Sequence, residues 1–141
     1  MTESTASPTL ARVHDRLRSI LRAERGSLHV TADTAAGMKL EIPGLEGKPW
    51  GYVAGTRLGK RYVSYYLMGV YASPELVSGI SPELRRRMQG KSCFNFSTVD
   101  ETLLRELAAL TARAVPRQTE MAESFRGGGG IPRGSRSARA R

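Results

Sequence analysis

The segment Met88-Gln-Gly-Lys-Ser-Cys-Phe-Asn-Phe96 carries the residues of this chain best placed to do chemistry. Side chains of an extended strand alternate between its two faces. Ser92, Phe94 and Phe96 therefore share one face, and Lys91, Cys93 and Asn95 share the other. Two phenylalanines in register demand a core, whereas a lysine, a thiol and an amide in register suit water, a ligand or a partner. The same alternation over 61–71 turns Val63, Tyr65 and Leu67 inward and Tyr62, Ser64, Tyr66 and Met68 outward. Parity alone does not choose the face of Tyr52, but we expect it beside Ser64, Tyr66, Lys91, Cys93 and Asn95 on one surface. Aromatic rings with a few hydrogen-bonding groups and one cation fit a protein partner or a small anionic ligand. The plainer reading is a solvated sheet face, because tyrosine favours strands for packing reasons alone.

Other reactive residue types offer less. His29 and Cys93 would need separate strands to bring them into a thiol–imidazole pair, and a lone cysteine on a strand is expected to be inert packing. His14 is expected on the solvated side of a basic helix. Gly51, Gly55 and Gly59 recur every fourth residue within a strand and turn rather than opening a helix, so they do not form a phosphate loop. Metal-ligand spacings such as Cys-x-x-Cys or His-Glu-x-x-His do not occur. These residues predict a non-enzymatic binding protein with neither metal nor cofactor.

The elements that must position this surface follow from the flanking pattern. Ser7 caps and Pro8 opens a helix whose apolar stripe is Leu10, Val13, Leu17, Ile20 and Leu21, with Gly26 at its end. Alternating runs at 28–33, 38–42, 50–56 and 61–71 predict a meander of antiparallel strands joined by short loops. Ser73-Pro-Glu-Leu76 and Ser81-Pro-Glu-Leu84 repeat one helix-start signal, the second helix ending near Gly90. Arg85, Arg86 and Arg87 would then wind around that helix as solvated charge. Thr98-Val-Asp-Glu101 matches a capping box for a last helix with Leu103, Leu104, Leu107, Leu110 and Ala114 on its apolar side, which Pro116 should end or kink.

Composition sets the class. The 141 residues, 40% hydrophobic and 25% charged, suit one globular domain without a membrane helix or secretory signal. A single cysteine fits a reducing compartment, so a cytoplasmic location is expected. The net charge is +9, but 126–141 holds five arginines and no acid, leaving +4 for the rest. That Gly/Arg-rich segment cannot bury enough apolar surface to order itself and reads as a disordered basic tail. It offers at most weak, non-specific nucleic-acid affinity. The expected organisation is a flexible 1–7, a folded domain over 8–115, a short helical extension over 116–125 and the tail.

The motifs Gly59-Lys-Arg-Tyr-Val-Ser-Tyr-Tyr-Leu-Met68, Gly90-Lys-Ser-Cys-Phe-Asn-Phe96 and Val99-Asp-Glu-Thr-Leu-Leu104 resemble those of the YdhG-like domain of unknown function, over roughly residues 9–115. The resemblance implies an α+β, frataxin-like layout, an antiparallel sheet with helices packed on one face. It also implies an alternative function, since some relatives are described as iron chaperones. The chain's own charges oppose that function: hard cations favour carboxylate clusters, yet Asp15 and Glu24 on the first helix face Arg12, Arg16, Arg18, Arg22 and Arg25. Asp33 and Glu41 are scattered sheet acids. Oligomeric state is not legible in this pattern.

Overall fold

The computed structural model describes residues 7–127, with side chains as far as Ser124. Helix α1, Pro8–Glu24, starts where Ser7 turns the chain extended and its side chain accepts a 3.0 Å hydrogen bond from the Leu10 amide. Its buried positions, Leu10, Val13, His14, Leu17 and Leu21, recur at helical spacing and lie against the sheet. Strands β1 (His29–Asp33), β2 (Gly37–Glu41), β3 (Tyr52–Leu58) and β4 (Val63–Leu67) form an antiparallel meander. A short helix α2, Met68–Ala72, a 3-10 segment Pro74–Gly79, and helix α3, Pro82–Arg85, follow. The two-residue strand β5 (Met88–Gln89), strand β6 (Cys93–Phe96) and helix α4 (Glu101–Gly127) complete the order. The sheet has six strands in the order β1-β2-β3-β4-β6-β5. No helix among the described residues is long and apolar enough to cross a membrane.

Cross-strand register assigns the faces. Met38, Thr56, Tyr65, Phe94 and Met88 form one continuous row across β2, β3, β4, β6 and β5. Leu40, Ala54 and Leu67 form the next row, and Leu58, Val63 and Phe96 another. These rows face α1 and α4, and Phe94 and Phe96 are buried there as the alternation requires. The α+β class with helices over one sheet face is therefore as expected. Each helix is also joined to the sheet by a buried polar pair. His14 Nε2 lies 2.7 Å from Thr56 Oγ1, and the Tyr65 hydroxyl lies 2.6 Å from Thr111 Oγ1, which itself donates to the Leu107 carbonyl.

Several local expectations fail for identifiable reasons. The strand expected over 61–71 stops at Leu67, and Met68 turns into α2 instead of pointing out from the sheet. Helix α2 packs so closely on α4 that a Cβ on Gly69 would sit 1.9 Å from the Ala114 carbonyl oxygen. Only glycine permits that approach. The Ser81 helix ends at Arg85 rather than near Gly90, because Met88 and Gln89 pair with β6. The cap of α4 is Asp100, whose carboxylate accepts from the Leu103 amide at 3.2 Å; Thr98 lies too early to do so. Pro116 does not end α4. It removes one helical donor, but Ala114, Gln118 and Ala122 are buried at fourfold spacing and the Gln118 amide donates to the Trp50 carbonyl at 3.0 Å. Tertiary packing thus carries the helix through the proline, and 116–125 belongs to the folded body. Helix α4 reaches Gly127; the rest of the expected basic tail, and residues 1–6, lie outside the described residues.

Candidate functional site: the open sheet face

The face of the sheet turned away from α1 and α4 is built from the complementary rows. Lys39, Gly55, Tyr66, Cys93 and Gln89 are successive partners across β2, β3, β4, β6 and β5. Arg57, Ser64 and Asn95 form the row beside them, and Glu41 opposite Tyr52 begins a third. Of the six residues expected to share a surface, Tyr52, Ser64, Tyr66, Cys93 and Asn95 do so. Lys91 does not: it sits in the turn after Gly90, before β6 begins at Cys93, and leaves the face. Glycine at 90, with φ of +80°, closes that turn and starts the strand two residues later than the alternation implied.

Tyr52 is placed by a bulge and a glycine. The β2–β3 register shifts between Leu40 and Glu41, so Val53 is the extra residue and Tyr52 turns toward the open face. Its ring lies across Gly55, where an added Cβ would be 2.3 Å from the phenolic oxygen. Burial, and then Tyr66, Glu41 and Cys93 nearby, hold the Tyr52 hydroxyl well above its ordinary pKa, so it remains a neutral donor.

The remaining polar groups satisfy one another laterally. Asn95 Oδ1 accepts from the Ser64 hydroxyl at 2.9 Å and from the Cys93 thiol at 3.5 Å, while its Nδ2 donates to Gln89 Oε1 at 2.6 Å. Burial raises the Cys93 pKa and the Ser64 hydroxyl only partly opposes it, so the sulfur is a protonated thiol rather than a nucleophile. Glu41 accepts from Thr31 Oγ1 at 2.6 Å and from the Gly47 amide at 2.7 Å. Those bonds, Thr31's first, hold its carboxyl below the usual range against the opposing effect of burial. Lys39 and Arg57 are exposed and have no ion-pair partner among the described residues.

The other candidate chemistries separate in space. His29 is on edge strand β1 and Cys93 on β6, four strand spacings apart, roughly 19 Å at the usual interval. The His29 imidazole instead meets Glu46 at 2.8 Å. His14 corrects the expectation of a solvated residue: it is 1% exposed and turned inward onto Thr56. Its position four residues before Arg18 on a basic helix concealed that, although it falls between Val13 and Leu17 on the apolar stripe. Two of these acids are already engaged, Asp33 with Arg18 at 3.1 Å and Arg22 at 3.0 Å, and Asp15 with Arg18 at 2.7 Å. Among the described residues, no three of His, Cys, Asp and Glu gather as a metal ion would require.

Sequence alternation missed Lys39, Glu41, Arg57 and Gln89 as members of this surface. Lys39 and Glu41 do alternate with Met38 and Leu40, so a signal was present; Gln89 became visible only through its pairing with Cys93. The chain is thus a mixed α+β protein with a six-stranded sheet covered by helices on one side. In comparisons with known proteins, no family model, curated protein or solved structure matches this chain.

Proposed function

We propose that this chain is a non-enzymatic binding or accessory protein, of the YdhG-like kind its motifs resemble, and that its open sheet face docks an acidic protein surface. The observation that carries the reading is the pair of tyrosines at the centre of that face. Tyr52 lies across Gly55, Tyr66 follows in the adjoining strand, and exposed Lys39 and Arg57 flank them. Tyrosines offer large contact area at small entropic cost, and flanking charges select the partner's sign. Ser64, Cys93 and Asn95 already bond to one another and to Gln89 Oε1, so a partner that covers them has few hydrogen bonds left to supply, chiefly to the exposed Gln89 amide nitrogen. Glu41, the acid of this face, is 7% exposed and spent on Thr31 and Gly47, so the charge a partner meets is positive.

A photo-crosslinking side chain placed at Tyr66, with a control at exposed Arg113 on α4, tests this in the protein's own cells. The expected result is a discrete protein adduct from position 66, absent from position 113 and weakened by Lys39→Glu with Arg57→Glu. The reading falls if position 66 gives no adduct, gives the same one as position 113, or captures nucleic acid.

A further inference from the structure

We infer that a cleft between α2 and the α3–β5 turn binds a small organic anion, an apolar body bearing one carboxylate or phosphate group. The cleft has a volume of about 740 Å³, within the range of small-molecule sites. Its floor is apolar and buried: Val70 is 1% exposed and Val77 9%. Tyr71 and Met88 supply further apolar walls, and Tyr71, 57% exposed, leaves its ring accessible to a ligand. Two cations, Arg85 and Lys91, line the same space. Both are exposed, and neither has an ion-pair partner among the described residues.

The cleft is a product of the fold rather than of a loose side chain. Gly69 lets α2 sink onto α4, fixing the Val70 and Tyr71 side of the opening. On the opposite side Gly90 adopts φ of +80°, and a Cβ built there meets nothing within 4 Å. The positive φ, which glycine adopts without strain, turns the chain here and delivers Lys91 to the edge of the cleft instead of to the sheet. From Met68 to Ser92 the chain carries four cations and two carboxylates. One of those carboxylates, Glu83, faces Arg86 at 3.8 Å and does not line the cleft. The local charge thus favours an anion, and the valine, methionine and tyrosine surfaces favour its apolar part. The site shares no residue with the tyrosine face proposed above, so either can fail without the other.

Amide NMR titration of the full chain with naphthalene-2-carboxylate tests the inference, with 2-naphthylmethanol as the neutral analogue and acetate as the charge without the ring. Saturable shifts should centre on Val70, Tyr71, Val77, Gly90 and Lys91. Each exposed cation should contribute about two- to fivefold in affinity, so Arg85→Met with Lys91→Met should weaken binding about tenfold. Tyr71→Ala should weaken the carboxylate and the alcohol alike, because it removes apolar contact only. Equal affinity for the neutral alcohol, undiminished binding in the double variant, or shifts centred on Tyr52 and Tyr66 would each overturn the assignment, as would failure to saturate at millimolar naphthalene-2-carboxylate.

Discussion

On the helix-covered face of the sheet, polar contacts run perpendicular to the strands: His14 reaches down to Thr56, and Tyr65 reaches up to Thr111. On the opposite face they run sideways, from Ser64 and Cys93 to Asn95 and on to Gln89. The first arrangement ties separate layers together and leaves nothing for a visitor. The second stiffens one layer and leaves its upper surface ready to be covered. Glycine is used differently on the two sides as well. Gly69 admits the backbone of α4, whereas Gly55 makes room for the ring of Tyr52. The same strands thus build a closed interior on one side and a prepared contact surface on the other.

Phe94→Ala and Cys93→Ala, neighbours in β6 on opposite faces, give the widest test of that contrast. The phenylalanine, fully buried, should cost about 3–5 kcal/mol in urea unfolding. The cysteine substitution should cost less than about 1 kcal/mol, since it removes one long, weak bond. Equal losses would erase the distinction between the faces. Gly69→Ala comes next. Because its Cβ would strike the α4 backbone, overpacking should cost about 1–3 kcal/mol. A neutral result in the same unfolding assay would show that α2 is not held tightly on α4.

Acid sensitivity should belong to the helix-covered side. Burial first, and Arg18 second, lower the folded His14 pKa below its ordinary 6.5, while the Ala35 carbonyl, Asp15 and Asp33 oppose them. The unfolded chain then takes up a proton before the native one does. The contribution is complete above pH 6.5 and is lost as pH falls below it, until the native imidazole also protonates. Its slope cannot exceed about 1.4 kcal/mol per pH unit, the limit for one proton. His14→Gln should flatten the fall in unfolding free energy between pH 7.5 and 5.5; an unchanged slope would place the acid sensitivity elsewhere. Asp33, held low chiefly by Arg22, loses its contribution only in a more acidic range. Ser64→Ala should have a small effect, about 0.5–1 kcal/mol, with Asn95 keeping Gln89 as a partner. A loss as large as that of Phe94→Ala would mean the lateral network carries the fold.

Much of the candidate surface was legible because strand alternation is a local rule. Ser64 and Tyr66 in β4, and Cys93 and Asn95 in β6, stand where period two puts them, opposite Tyr65, Phe94 and Phe96. Lys91 broke the rule because a glycine turn, not a strand, occupies its position. Tyr52 had no determinable parity, since a bulge resets the alternation of β3 through its pairing with β2. His14 misled for another reason: charge along the helix suggested solvent, while one turn of the helix faced a threonine forty-two residues away.

By itself, the sequence determined the first helix with its serine cap, the meander of strands, the two-faced pattern of β4 and β6 and the apolar stripe of the last helix. Each depends on residues within a turn or two of one another, where propensity, capping and periodicity act directly. Tertiary structure alone decided the burial of His14, the persistence of α4 through Pro116, the turn of Met68 into α2 and the separation of Lys91 from the tyrosine face. Those outcomes depend on contacts between distant segments, where the free energy of packing outweighs local preference: Ala114, Gln118 and Ala122 hold a helix that a proline would otherwise stop.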